Sequence, residues 1–278
     1  MKSQTRLKVG IIGLGAIGGH VANCIEKGEA GNAELVALVC RDKTKYLKIN
    51  EGQSDAFKAL ISDDIETLFA AQPDIVIEAA GQSSLNQYGI AILERGVDLL
   101  VSSIGLFTDD ETLKKFTLTA EQSGAKMLLS AGALPALDWM SASSLSAVEK
   151  VSITQEKPVI SWKGTYAEAL TDLDVLIEPT CFFEGTAREA ANLFPKSSNI
   201  SAMLALATVG LDSTEVRLVA DPINPNMNTV IEFESEVGNM QLSCQGIPSQ
   251  SNPSTSTGVP LSIVKSIRNL SSPIHYGV

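Results

Sequence analysis

Three glycines near the N-terminus have the spacing of a loop that cradles phosphate. Gly13, Gly15 and Gly18 follow the pattern G-x-G-x-x-G within "VGIIGLGAIGG". The first glycine permits a tight turn, the second lets the backbone approach a pyrophosphate, and the third lets helix and strand pack closely. An apolar strand before the loop and a helix after it favour a dinucleotide site over a glycine-rich turn of another α/β protein. We expect the cofactor to contact Gly13, Gly15, Ala16, Ile17 and Gly18.

The end of the second predicted strand bears on which nicotinamide cofactor binds. An NAD site has Asp or Glu about 20 residues after the loop, where the carboxylate binds the ribose hydroxyls. The sequence there reads "LVCRDKTK", with Cys40 at the strand end and Arg41 next. A cysteine cannot replace a carboxylate, whereas the Arg41 guanidinium can bind a 2′-phosphate with two hydrogen bonds. We predict NADP as the preferred cofactor, with NAD as the alternative if Asp42 reaches the ribose.

A second stretch, "VADPINPNMNTVIEF" (219–233), has the pattern of a strand, a tight polar turn and another strand. Between Asp221 and Glu232 it contains no ionisable side chain. Asn and Pro favour turns for local backbone reasons, so an ordinary turn explains residues 224–226. If the turn faces a reacting centre, another part of the chain must supply the acid or base.

Composition and charge exclude several classes of function. The 278 residues carry 21 Lys plus Arg against 32 Asp plus Glu, and the net charge of −11 argues against nucleic acid or an anionic membrane as partner. The four cysteines are scattered, so we expect no metal site and no disulfide framework. The sequence has no signal-peptide pattern and no apolar stretch near the ~20 residues of a membrane span, so we expect a cytoplasmic protein. For His20 and His275 we expect surface or packing roles.

Strands and helices alternate over the first 130 residues and predict a doubly wound parallel sheet. Near-continuous apolar runs, typical of strands buried on both faces, occupy residues 7–13, 34–40, 74–80, 98–103 and 126–132. Helical patterns between them cover residues 17–28, 84–95 and 109–123. We expect Thr108 to cap the last of these helices, with Asp109, Asp110 and Glu111 complementing its dipole.

The pattern changes after about residue 131 and predicts a second, α+β domain with an antiparallel or mixed sheet. Strand patterns at 215–221, 228–235 and 239–246 favour an antiparallel meander with a hairpin turn at "EVGN" (236–239), and residues 185–194 and 199–210 have helical patterns. Residues 247–258 favour a loop, a crossover or a flexible linker, and the helical tail after Thr257 could return to the first domain. We therefore divide the chain into residues 1–130 plus about 255–278, and residues 131–254.

With both domains in view, the sequence resembles the L-aspartate dehydrogenase family through nearly its whole length. The motifs that carry this resemblance are "GLGAIG" (13–18), "VSSIGLFTDDE" (101–111), "LLSAGALPALD" (128–138), "FEGTAREAANLFP" (183–195), "NISAMLALATVGLDSTEVRLVADP" (199–222) and "GIPSQSNPSTS" (246–256). The glycine loop is generic, but "SAGALPALD" followed by "GTAREAANLFP" is specific to the family.

The resemblance implies a Rossmann domain followed by an α+β domain that bears the substrate site and a homodimer interface. Family members interconvert L-aspartate with iminosuccinate, or with oxaloacetate plus ammonia, using NAD or NADP. By motif, Ala133 and Asn199 match family positions that contact the nicotinamide half of the cofactor. Residues at the ends of sheet strands would line the cleft where ligands enter such folds, here Ala80, Gly81, Ser103 and Ile104.

Two positions depart from the family pattern. Members carry a catalytic histidine in the strand after "ADP", and an ungapped match places Thr229 there, whereas a shift of one residue places Asn228 there. A loop that usually reads "NPKTS" is "NPSTS", so Ser254 stands for a lysine. Two groups expected near the substrate are therefore neutral, although a positioned base contributes about 10²- to 10⁴-fold to such reactions.

Three interpretations follow. The first is an oxidoreductase acting on the CH–NH₂ group of an amino acid or related amine, an amino acid dehydrogenase or imine reductase of altered specificity. Its charged candidates for proton transfer or substrate binding are Asp138, Lys157, Lys163, Glu184 and Arg188, each of which could equally have a structural or surface role. The second is an ordinary aspartate dehydrogenase whose base lies elsewhere. The third is a catalytically impaired dinucleotide-binding sensor or partner subunit.

Overall fold

The computed structural model describes residues 5–49, 51–249 and 252–277. The chain divides into two compact units, Met1–Ser130 with Pro260–Val278 and Ala131–Val259. Each unit has its own main sheet, a six-stranded sheet in the first and a five-stranded sheet in the second. The predicted α/β class with a second α+β domain is confirmed.

The first unit is built on a parallel sheet with strand order β3-β2-β1-β4-β5-β6. Its strands are β1 (Leu7–Ile12), β2 (Ala33–Val39), β3 (Ile61–Ser62), β4 (Ile75–Glu78), β5 (Asp98–Val101) and β6 (Met127–Leu129). The helices that connect them are α1 (Ala16–Glu26), α2 (Lys43–Ile49), α3 (Asp55–Ala59), α4 (Glu66–Ala70), α5 (Gln82–Leu93) and α6 (Asp110–Ser123). The strand order reverses between β1 and β4, so the carboxyl ends of these strands border the crevice where ligands bind in doubly wound sheets.

Helix α11 (Gly258–Leu270) confirms the helical pattern of the tail. It packs on the core of the first unit, where Ile263, Val264 and Ile267 join the apolar side chains of β1 and α1. Burial of each such side chain contributes about 1.5–3 kcal/mol to folding. The tail is therefore an integral part of the first unit's core.

One capping prediction is wrong. Asp109, not Thr108, caps α6, because the Asp109 carboxylate accepts a hydrogen bond from the Thr112 N–H. Thr108 ends a 3₁₀ turn over Ile104–Thr108, and its hydroxyl donates to the Gly105 carbonyl. Because Thr108 belongs to this turn, it lies one residue before the N-cap position of α6.

The second unit contains a mixed sheet with strand order β11-β10-β7-β9-β8. Its strands are β7 (Val148–Pro158), β8 (Thr180–Thr186), β9 (Glu215–Asp221), β10 (Met227–Ser235) and β11 (Gly238–Gly246). Its helices are α7 (Leu137–Ser143), α8 (Ala167–Leu170), α9 (Ala187–Leu193) and α10 (Asn199–Ala207). Along β7, Val151, Ile153, Gln155 and Lys157 are buried and alternate with more exposed residues, so the two faces of this strand differ.

The predicted meander is wrong in one connection. Strands β9 and β10 are not neighbours, because β7 lies between them, parallel to β9 and antiparallel to β10. Residues 222–226 therefore form a crossing connection over β7 and not a tight hairpin turn. The β10–β11 hairpin is confirmed, with Ser235 paired to Gly238 across a two-residue turn.

The segment predicted as a loop, crossover or linker contains a two-stranded antiparallel sheet. Strand β12 (Pro248–Ser249) pairs with β13 (Asn252–Ser256), although the residues between them are outside the described part of the chain. Ser254 lies on β13, and its side chain is also outside the described part.

Candidate functional site

Of the three glycines in the loop, Gly15 alone has open space where a Cβ would stand. Gly13 adopts φ +95°, and a Cβ there would lie 2.6 Å from the Ala79 backbone. A Cβ on Gly18 would lie 1.8 Å from the Gly13 carbonyl oxygen, so helix and loop touch at that glycine. Gly15, which caps α1, has no atom within 4 Å of the Cβ it lacks. This open space beside backbone N–H groups at a helix start fits the pyrophosphate of a dinucleotide.

Beyond β2, the two side chains considered for cofactor selection differ in whether they already have a partner in the protein. The Asp42 carboxylate accepts a 2.8 Å hydrogen bond from the Lys45 N–H and so is engaged at the start of α2. Arg41 is exposed, and its side chain makes no hydrogen bond or ion pair with any described residue. Burial raises the pKa of the Cys40 thiol, so it remains neutral. The cation at this strand end is thus available to a ligand, while the carboxylate already has a partner.

A buried carboxylate that the sequence analysis missed organises the two loops at the centre of the sheet. Glu78, at the end of β4, is 1% exposed. Its Oε1 accepts hydrogen bonds from the Ala80 N–H, the Gly81 N–H and the Ser103 hydroxyl at 2.8–2.9 Å, and Oε2 accepts one from the Ser103 N–H at 3.0 Å. Burial raises the Glu78 pKa, and these four hydrogen bonds oppose the shift. The signal in the sequence is the acidic residue that ends the buried run "DIVIEAA".

The residues of these loops that were predicted to contact the cofactor differ in how much of their surface a ligand can reach. Gly81 adopts φ +105° with open space around its missing Cβ. Ser103 and Ile104 are 6% and 2% exposed, because the serine binds Glu78 and the isoleucine starts the 3₁₀ turn in the interior. They have little surface with which to contact a cofactor.

In the second unit, the two candidates for the family's histidine position lie on opposite faces of the sheet. Thr229 pairs with Gln155 of β7 and with Cys244 of β11, so it shares the face of Gln155 and Lys157. Asn228 pairs with Glu156, and its side-chain amide donates a 3.2 Å hydrogen bond to the Glu156 carboxyl. The alternatives left open by the sequence therefore correspond to two different chemical surroundings.

The surroundings of Asn228 contain a carboxyl pair. Burial and the hydrogen bond to Asp221 raise the Glu156 pKa, and the amide of Asn228 opposes the shift. Burial alone would raise the Asp221 pKa, but hydrogen bonds from the Asn224 N–H, the Ile223 N–H and Glu156 hold it below its ordinary value. Glu156 thus keeps its proton to higher pH and shares it with the Asp221 carboxylate.

The surroundings of Thr229 contain a buried amine. Lys157 is 9% exposed, and its Nζ lies 4.8 Å from the centre of the Trp162 ring. Burial lowers the Lys157 pKa to about 8, and no charged group contributes to the shift. Trp162 is fully buried, packs edge-on against Phe182 and donates a hydrogen bond to the Val219 carbonyl, so the ring beneath the amine is held in place.

The other charged candidates are engaged elsewhere or sit near the surface. Arg188 binds Asp212 through two hydrogen bonds of 2.6 and 2.9 Å, Lys163 pairs with Asp174, and Glu184 pairs with Arg217 at 2.7 Å. Asp138 lies in the first turn of α7. Of the predicted group, Lys157 alone combines burial with a strongly shifted pKa among the described residues.

The two residues matched to nicotinamide-binding positions both belong to the second unit. Ala133 lies in the loop before α7, between Gly132 at φ +60° and Ala136 at φ +55°. Asn199 is the first residue of α10. No group of three or more His, Cys, Asp or Glu side chains able to bind a metal occurs in the part of the chain that the structure covers. Within that same part, no helix is both long and apolar enough to span a membrane.

Comparisons with known proteins cover both units. The C-terminal domain model of aspartate dehydrogenases matches residues 138–270, and the NAD-binding domain model of homoserine dehydrogenases matches residues 13–130. An L-aspartate dehydrogenase of Acinetobacter baylyi is 41% identical over 243 residues, 85% of this chain and 92% of that protein. Another from Brucella anthropi is 36% identical over 259 residues, 93% of this chain and 94% of that protein.

Solved structures give the same result. A crystal structure of aspartate dehydrogenase from Thermotoga maritima matches with a TM-score of 0.74 and 26% identity, over 98% of this chain and 99% of that one. A hyperthermophilic archaeal homoserine dehydrogenase in complex with NADPH matches with a TM-score of 0.57 at 14% identity, over 98% of this chain and all of that chain, which is evidence of a shared fold alone.

Proposed function

This chain belongs to the L-aspartate dehydrogenase family, and from that premise we propose that it is an NAD(P)-dependent amino acid dehydrogenase whose preferred substrate differs from aspartate. It removes the amino group oxidatively from, or adds ammonia reductively to, a small amino acid or 2-oxo acid. The observation that carries the altered specificity is Thr229, or Asn228 if the match shifts by one residue, a neutral residue where the family resemblance implies a histidine, together with Ser254 where it implies a lysine. Without these two groups, the site has less to hold the second carboxylate of aspartate.

NADP is the cofactor we propose, because Arg41 is free to bind a 2′-phosphate while Asp42 is engaged by Lys45. The open space at Gly15 would receive the pyrophosphate, and the Glu78 carboxylate would fix the neighbouring loops at Gly81 and Ser103. When bound, the nicotinamide accepts or donates the hydride at the substrate Cα. The protein's part is to orient the substrate, exclude water and move a proton on the amine nitrogen.

The second candidate function is that of an ordinary L-aspartate dehydrogenase, with L-aspartate as the preferred substrate. It is supported by relatives of 36–41% identity that are themselves L-aspartate dehydrogenases. We also propose, from the family resemblance, that the protein acts as a cytoplasmic homodimer, with its second unit forming the interface. Light scattering coupled to size-exclusion chromatography tests the dimer, and a monomer at micromolar concentration would contradict it.

The experiment that separates the candidates is a substrate panel. Reductive amination is followed by NADPH absorbance with ammonia and pyruvate, 2-oxobutanoate, 2-oxoglutarate or oxaloacetate, and kcat/KM is compared. We expect a best substrate other than oxaloacetate. If oxaloacetate is by far the best, the protein is an ordinary aspartate dehydrogenase. If NADPH binds but every substrate is inert, the protein is a dinucleotide-binding sensor or partner subunit and the enzymatic proposal is wrong.

A further inference from the structure

A short segment of the second unit concentrates polar groups that lack partners. Among the described residues, two buried side-chain polar atoms have no hydrogen bond, the Gln155 amide nitrogen and the Ser161 hydroxyl. Both lie on the segment that ends β7 and turns towards Trp162. An unsatisfied buried donor costs about 1–3 kcal/mol, so such groups are kept where a ligand completes them.

Lys157 stands between these two residues, with its amine in an apolar setting. Its cross-strand neighbour on β9 is Ala220, and Met227 precedes Asn228 on β10 and so turns to the Lys157 face. The Trp162 ring lies beneath the amine. The carboxyl groups nearest along these strands, Glu156 and Asp221, bind each other on the opposite face, so no anion holds the lysine in its charged form.

The register places this amine near Thr229, the ungapped match to the family's histidine position. Gln155 lies directly opposite Thr229, and Lys157 is the next residue along β7 on the same face. Side chains two residues apart on a strand are about 7 Å apart, a gap that an amino acid bridges when its amine and its carboxylate each make a hydrogen bond of about 3 Å. Thr229 is half-buried, so the side chain opposite Gln155 keeps some accessible surface on this face.

We propose that Lys157 is the acid–base residue for the substrate amine and that the Gln155 amide donates a hydrogen bond to the substrate carboxylate. This rests on the proposed amino acid dehydrogenase function. In the deamination direction, neutral Lys157 takes a proton from the substrate ammonium and becomes an ammonium itself. The freed nitrogen lone pair would form the C=N bond as a hydride leaves Cα, and a bound oxidised nicotinamide would supply the hydride acceptor. Water then adds to the iminium carbon. One proton of this water passes to the nitrogen, which leaves as ammonia, the other passes to solvent, and Lys157 also returns its proton to solvent.

A test that needs no turnover uses the tryptophan beneath the amine. The chain has two tryptophans, so Trp139→Phe leaves Trp162 as the sole indole emitter. Charging an amine 4.8 Å from the ring perturbs its emission, and we expect a fluorescence transition with a midpoint near pH 8. Adding Lys157→Met should abolish it. A Trp139→Phe protein whose emission does not change near this pH would overturn the proposal even if the enzyme is active.

The kinetic test compares two replacements in the deamination direction, with the amino acid that corresponds to the best 2-oxo acid of the panel. Lys157→Met removes the amine, and Lys157→Arg keeps a permanent positive charge that cannot accept a proton. We expect both to lower kcat by about 10²- to 10⁴-fold and to remove the acid limb of the pH profile, which is the rise in rate as Lys157 loses its proton. If Lys157→Arg retains wild-type activity, or if the limb persists in Lys157→Met, the lysine is not the base.

Gln155 has its own readout. Gln155→Leu keeps the volume of the side chain and removes the donor, so we expect KM for the same amino acid to rise about tenfold while the Trp162 transition persists. An unchanged KM would remove Gln155 from the site. If no compound in the panel is turned over by the wild-type protein but the Trp162 transition is present, the proposed function fails while the low-pKa amine stands.

Discussion

Replacing Arg41 with alanine tests how the protein selects its cofactor. The guanidinium is exposed and has no partner among the described residues, so its removal should leave the fold intact. A hydrogen bond to a charged group is worth about 1.5–3 kcal/mol, or about 10- to 150-fold in affinity. Because Arg41 is exposed, screening by salt puts the expected loss near the low end, about tenfold at physiological ionic strength.

The assay is titration of NADPH and NADH by the enhancement of nicotinamide fluorescence on binding. In Arg41→Ala we expect the Kd for NADPH to rise about tenfold, more at low salt, while the Kd for NADH is unchanged. Lys48→Ala is the matched control for charge, since it removes an exposed cation from the far end of α2. It should affect neither cofactor.

A second control examines the alternative in which Asp42 binds the ribose. Asn caps helices as well as Asp does, so Asp42→Asn preserves the hydrogen bond from Lys45 while removing the negative charge. We expect NADH affinity to be unchanged in this variant. If Asp42→Asn weakens NADH binding, or if Arg41→Ala weakens both cofactors equally, the assignment of NADP selectivity to Arg41 is refuted.

Two other predictions concern the glycine loop and the carboxyl pair. Gly15→Ala should leave Tm within a degree or two of wild type, because nothing lies within 4 Å of the added Cβ, yet weaken NADPH binding at least about tenfold. Gly18→Ala should lower the free energy of unfolding, measured by urea denaturation, by about 1–3 kcal/mol, because its Cβ would lie 1.8 Å from a carbonyl oxygen. Equal stability of the Gly15→Ala and Gly18→Ala proteins would contradict these different roles of the two glycines. The pKa of Glu156 is raised in the folded state, so its stabilising contribution is present at acid pH and is lost as pH rises through that pKa. Glu156→Gln should flatten that part of the profile of unfolding free energy against pH, and an identical slope in both proteins would show that Glu156 titrates normally.

The elements that depend on residues close together in the sequence are predictable from the sequence alone. The strand, glycine loop and helix at Gly13–Gly18 could be placed because steric requirements of the loop restrict the residue types at each position. The β10–β11 hairpin was also predictable, since the chain turns back within two residues. Such features depend on neighbours in sequence, which a single chain displays directly.

Long-range pairing was not predictable in the same way. The insertion of β7 between β9 and β10 depends on contacts between residues about 70 positions apart, as in the pair Glu156 and Asn228. The polar residues of β7 alternate with apolar ones and resemble a surface strand. Without that pairing, the pattern after Asp221 predicts a hairpin, and nothing in the sequence identifies Glu156 as the partner of Asn228.

Burial of charge was the other feature hidden from the sequence. Lys157 could equally have been a solvated surface charge, and its residue type alone gives no sign of the Trp162 ring beneath it. Glu78 is likewise stable in the interior because four donors of the neighbouring loops bind its carboxylate, and the sequence does not show these contacts. Both are consequences of tertiary packing, which sets the desolvation that shifts a pKa.

The most direct test of the proposed altered specificity introduces together the two residues that the family resemblance implies at positions 229 and 254. In Thr229→His with Ser254→Lys, we predict that kcat/KM for L-aspartate rises by about 10²-fold or more, since each hydrogen bond from a charged donor to the second carboxylate is worth about 1.5–3 kcal/mol, or about 10- to 150-fold. Unchanged NADPH affinity and Tm serve as controls that the variant is folded. A folded, NADPH-binding double variant with no gain on aspartate would contradict the claim that these two positions determine the substrate.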